Sequence, residues 1–241
     1  MSFFEEAIHR LYQAFKPYSP MGMEHCDCGC IDPNDVALLY AAPLASLSPE
    51  ALASYHGSAL YTWGEIHHYK HYLPRVCELI ARLDHKFLVD IDDLSAKLQY
   101  AKWQKWPQTE KEALLYFFTA LWEHKVLHQK EMSVKALQSF VLLIGLKKCL
   151  SLWNITQTPE ATENFVHFFF ETGHSILHKG LSLSQQKYSQ EFLHWIQSHT
   201  SLEKELEAFF FKAVDSDTRL AEKTSAVLQL LQSAPLLSSY S

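Results

Sequence analysis

Seven glycines, against 35 leucines and only 18 valines plus isoleucines, constrain this 241-residue chain more than any other feature of its sequence. Average usage would supply about 17 glycines. Sheets need glycine at their turns and β-branched residues along their strands, and both are scarce here. The chain therefore reads as all-α. Hydrophobic residues make up 48% of it, enough to close a core and to exclude a disordered or collagen-like polymer. Scarce glycine also argues against phosphate-cradling loops. The sequence holds no Walker loop, no dinucleotide fingerprint and no Gly-x-Ser-x-Gly elbow.

Helix-start signals recur along the chain. Ser2 with Glu5, Thr109 with Glu112 and Thr200 with Glu203 have capping-box spacing, in which a hydroxyl oxygen satisfies free backbone N–H groups. Asp32-Pro33, Ser48-Pro49 and Thr158-Pro159 place a cap before a proline whose missing N–H costs nothing at the first helical position. Lys179-Gly180 reads as a helix stop. Between these signals the apolar residues step by three and four, as in Leu114, Phe118, Leu121 and Trp122, or Phe165, Phe168 and Phe169.

The pattern predicts about ten short-to-medium antiparallel helices. They are drawn from the segments 3–15, 33–41, 49–61, 64–72, 74–84, 91–104, 110–128, 134–148, 159–178, 185–199, 202–214 and 217–232, with some neighbours merging. Pro74 is expected to end or kink its helix. The reading is one multi-helical domain, 1–241, with a weak break near 105–108 at Trp106-Pro107. The spacing of helix pairs suggests HEAT-like superhelical packing, although the repeat consensus is missing.

The opening is acidic and the longest apolar run, Phe140 to Leu146, is far short of the ~20 residues that span a bilayer. Five cysteines, three of them crowded together, do not make a secreted disulfide framework. A cytoplasmic chain with no membrane segment is expected. With four arginines, no basic block and a net charge of −6, nucleic acid is not an expected partner. Oligomeric state is not readable from this pattern.

Two segments carry the polar chemistry. Residues 16–32 form the one long irregular stretch, and within it His25, Cys26, Cys28 and Cys30 gather three thiols and an imidazole. Soft thiolates suit zinc or copper(I), and tetrahedral zinc wants four such ligands. The spacing is Cys-x-Cys-x-Cys with no second knuckle, so zinc, free thiols and a redox pair all stay open; Cys77 or a histidine would have to complete the shell if His25 does not. The second segment, Thr62 to Arg75, is dense in histidines and aromatics, and Trp63, His71 and Arg75 are its pocket candidates. Apart from these, Glu-x-x-His occurs as Glu6/His9, Glu65/His68, Glu171/His174 and Glu191/His194. In ferritin-like bundles two such motifs with single glutamates, here Glu123, hold a di-iron centre.

The run from His25 through Arg82 resembles a family of uncharacterised bacterial all-helical proteins. The likeness lies in the cysteine-bearing N-terminal loop, Pro43-Leu44 with Leu47, Tyr55, Thr62-Trp63-Gly64, and Leu73-Pro74-Arg75 followed by Glu78-Leu79. It covers about a quarter of the chain and implies an all-helical fold, but no activity. The leading expectation is a non-enzymatic interaction or scaffold protein with a protein partner and no cofactor. The alternative is a metal-binding protein, with zinc at the cysteine loop or iron at the Glu-x-x-His groups.

Overall fold

The computed structural model describes residues 3–83, 86–179 and 187–233. All regular structure among them is helical, as two isolated bridges at Trp63 are the only β-pairing. Ser2 and Gly180, read above as a cap and a stop, lie outside the described residues. Twelve α-helices are described where about ten were expected, and nothing in their arrangement establishes HEAT-like superhelical packing. Residues 1–121 and 122–241 form two compact units, and the division falls inside a helix, after Leu121.

The first unit contains α1 (Phe3–Phe15), α2 (Pro33–Leu39), α3 (Pro49–Ser58), α4 (Ile66–Ala81), α5 (Ile91–Tyr100) and the start of α6 (Gln108–His128). Asp32 accepts from Asn34 N at 2.8 Å and Ser48 from Ala51 N at 3.2 Å, so two of the three cap-proline signals begin helices in this unit. Thr109 instead lies inside α6, whose first turn closes on the Pro107 carbonyl. α4 packs against α1 and α3. Its Pro74 neither ends nor splits it. Interior proline costs about 3 kcal/mol; α4 is buried along most of its length, and that packing outweighs the lost hydrogen bond. After α5, Lys102 turns left-handed (φ 53°) and the chain continues as a 3-10 turn, Trp103–Lys105.

The second unit holds the rest of α6, α7 (Val134–Ile144), α8 (Leu146–Leu152), α9 (Pro159–Lys179), α10 (Lys187–Ser198), α11 (Leu202–Val214) and α12 (Thr218–Ser233). The expected helix 134–148 is split at Gly145, whose φ of 83° no helix accommodates. Before α11 the capping position falls on Ser201 rather than Thr200. Trp153 anchors the core, with Trp195 at 5.2 Å, Phe168 at 5.3 Å and Trp122 at 5.8 Å between ring centres. The buried Trp122 N–H donates to Cys149 O at 2.8 Å, so even the polar atom of this core ring is satisfied.

Candidate metal centre in the cysteine loop

The irregular stretch before α2 is held by backbone pairing onto the connection between α3 and α4. Cys26 N donates to Thr62 O and Gly64 N to Glu24 O, both at 2.8 Å. Two histidines of α4 complete the anchorage. His68 Nδ1 accepts from Glu65 N at 3.0 Å, so its other nitrogen carries the proton and donates to Met21 O at 3.2 Å. His71 Nδ1 donates to Tyr18 O at 2.9 Å. These bonds present residues 26–30 at the surface as a short loop of alternating cysteines.

The three thiols converge. Cys26 Sγ lies 2.6 Å from Cys28 Sγ, and Cys28 Sγ lies 2.9 Å from Cys30 Sγ. All three sulfurs fall within 4.8 Å of one another, and no other set of three His, Cys, Asp or Glu ligand atoms does so among the described residues. Cys28 and Cys30 are exposed and Cys26 is half-buried. Hydrogen bonds from Cys26 and Cys30 hold the Cys28 thiolate and bring its pKa down to about 7. Cys30, sharing a proton with Cys28, is pushed up to about 11. The Cys28 thiol is therefore partly ionised at neutral pH, in the form metals and electrophiles both seek.

His25 is not among the ligand atoms that converge. Its Nδ1 lies 3.3 Å from Cys26 O, and its ring stands edge-on to Trp63 at 6.5 Å. Cys77, the other sequence candidate for the shell, is buried in α4, where burial drives its thiol far above the ordinary value. The Glu-x-x-His pairs are not gathered into a di-metal site: Glu171, His174, Glu191 and His194 are exposed, and His68 is committed to the loop.

Trp63, His71 and Arg75 are held for separate purposes. Trp63 is buried, with Tyr55 edge-on at 5.3 Å, and its indole N–H has no acceptor among the described residues. Arg75 donates to Leu47 O from two nitrogens at 3.2 Å and to Glu78 at 2.9 Å; Glu78 in turn accepts from Tyr12 at 2.7 Å. Arg75 thus ties α4 to the chain before α3 and to α1. A cleft of about 530 Å³ does reach Trp63, but its walls are Cys26, His25, Thr62, His67 and neighbours, without His71 or Arg75.

A second cleft, of about 560 Å³, runs along Tyr18, Lys70, Ile66 and Tyr100. Lys70 pairs with Glu110 at its side, and Tyr18 donates to the same carboxylate. No spacing rule connects Tyr18, Lys70 and Glu110 in the sequence, and the sequence reading did not single them out. No protein-family model matches the chain, and neither a curated protein nor a solved structure matches it.

Proposed function

We propose that this chain binds one thiophilic metal ion, zinc by the chemistry of the donors, through Cys26, Cys28 and Cys30. The convergence of the three sulfurs within 4.8 Å carries this reading. A tetrahedral zinc with Zn–S bonds of about 2.3 Å places its sulfurs about 3.8 Å apart, between the 2.6 Å that separates Cys26 and Cys28 and the 4.8 Å that bounds the set. His25 would have to leave Trp63 to serve as the fourth ligand.

Elemental analysis of protein purified without chelator tests the proposal. About one equivalent of zinc is expected in the full chain and a loss of most of it in Cys28→Ser. Less than a tenth of an equivalent of zinc, copper and iron, after exposure to each, would rule the site out.

An interaction role is the second reading, favoured by the exposed rings of Tyr61 and Tyr100, packed edge-to-face at 4.7 Å. Exposed paired aromatics of this kind are enriched at protein interfaces. Sedimentation across a range of concentrations tests whether the partner is a second copy. Association that disappears in Tyr61→Ser/Tyr100→Ser supports that form of the reading, and concentration-independent sedimentation removes it.

A further inference from the structure

We infer that an ion held by Cys26, Cys28 and Cys30 keeps one coordination position for an exogenous thiol, admitted through the cleft that Cys26 shares with Trp63. The inference rests on the metal reading above.

The number of ligands is the first argument. A divalent ion of the zinc type seeks four donors, and the described residues bring three together. His68 has both ring nitrogens committed to backbone groups, and His25 is turned onto Trp63. Three protein ligands with an open fourth position is the arrangement by which such ions take up a molecule from solution, whereas a fully ligated ion only staples the chain.

Access is the second argument. Cys28 and Cys30 are exposed, and Cys26 lines a cleft of about 530 Å³ together with Glu24, Thr62, Trp63 and His67. A small molecule lying in that cleft is beside a metal-binding sulfur.

Charge selects the ligand class. Three thiolates on a divalent ion leave one net negative charge and donate strongly to the metal. Such an ion is a poor acid towards water and a poor partner for carboxylates, but it retains its affinity for soft sulfur donors. The step is a ligand addition: the S–H bond of the incoming thiol breaks, a metal–sulfur bond forms, and the proton passes to solvent. No electron changes hands.

Cobalt(II) is the probe, because its visible d–d bands report the number and kind of its ligands. The full chain is loaded with one equivalent under anaerobic conditions and titrated with 2-mercaptoethanol, and separately with ethanol. A saturable shift and strengthening of the bands with the thiol alone is expected. A spectrum indifferent to thiol, one that responds equally to ethanol, or loss of the bands as thiol strips the metal would overturn the inference. Failure of cobalt and zinc to load at all would count against the metal reading itself, so the two failures are distinguishable. Thr62 is exposed on the cleft wall, so Thr62→Phe should narrow the cleft and, in the cobalt-loaded protein, weaken the thiol response by about tenfold or more. An undiminished response removes the cleft as the route. His25→Ala should leave the starting spectrum unaltered; a changed spectrum would make His25 the fourth ligand and close the position.

Discussion

Lys70 and Glu110 form an ion pair of 2.6 Å with side chains only 7% and 5% exposed. The ammonium also donates to Tyr18 at 3.0 Å and lies 4.4 Å from the centre of the Trp106 ring. The pair joins α4 to α6 beneath the irregular N-terminal stretch. Removing one member of a buried pair strands the other charge, whereas replacing both with apolar residues is often neutral. Glu110→Ala should therefore lower stability by about 3–5 kcal/mol, and Lys70→Met/Glu110→Leu should recover most of it. Urea unfolding of the three proteins checks this. A loss under about 1 kcal/mol in Glu110→Ala would show that the pair is solvated and the network unimportant.

Acid should weaken the first unit through His56. Its ring is 2% exposed, beside Tyr69 at 5.8 Å, and burial with the nearby Lys97 charge lowers its pKa from 6.5 to about 4. Between those values the unfolded chain binds a proton that the folded chain refuses. Stability is thus full above pH 6.5 and is lost as pH falls through about 4. His56→Phe should flatten the stability profile in that window, read by urea midpoints at several pH values. An unchanged slope would mean that His56 finds water or a partner when protonated.

Lys97 behaves in the same sense at the alkaline end. Its ammonium donates to Ala59 O at 2.8 Å and Gly57 O at 3.2 Å and lies 3.7 Å from the centre of the Tyr61 ring. Burial lowers its pKa from 10.5 to about 8, so stability should rise as pH increases between those values, where only the unfolded chain stays protonated. Lys97→Met should abolish that rise. Hydrogen exchange adds a second readout, because loss of Lys97 strands the carbonyls of Gly57 and Ala59 at the end of α3.

Metal uptake should release protons in an amount set by the loop. Cys28, near pKa 7, is about half ionised at neutral pH, while Cys30, near 11, keeps its proton until a metal displaces it. Zinc binding at pH 7 should therefore release at least about 1.5 protons, and fewer at pH 9. Titration calorimetry in buffers of different ionisation enthalpy measures the number. Release of less than one proton would show that Cys30 is not a ligand.

The helices were legible because period and punctuation act locally. Ser48-Pro49 and Asp32-Pro33 begin α3 and α2 whatever surrounds them. Pro74 was misleading for the opposite reason: its cost is local, but the burial that outweighs it comes from α1 and α3 packed on α4. The cysteine cluster was legible because its members are two residues apart. That His25 stands apart from it was not, since its ring answers to Trp63, 38 positions later. Lys70 and Glu110 lie on different helices, and no periodicity links them.

Two glycines should respond oppositely to alanine. Gly64 has φ +70°, and a Cβ there would sit 2.9 Å from Met23 Cγ and 3.2 Å from His68 Cβ. The conformation alone costs an L-residue roughly 1–2 kcal/mol, and relieving the contact would push the loop away from the Glu24–Gly64 and Cys26–Thr62 bonds. Gly64→Ala should therefore destabilise the chain and weaken zinc binding together. Gly57 lies within α3 with nothing within 4 Å of its added Cβ, so Gly57→Ala should raise stability by about 0.5–1 kcal/mol and leave zinc binding alone. Thermal unfolding with and without zinc separates the two. A Gly64→Ala protein with normal zinc affinity would mean that the cysteine loop holds its shape without the backbone pairing to residues 62–64.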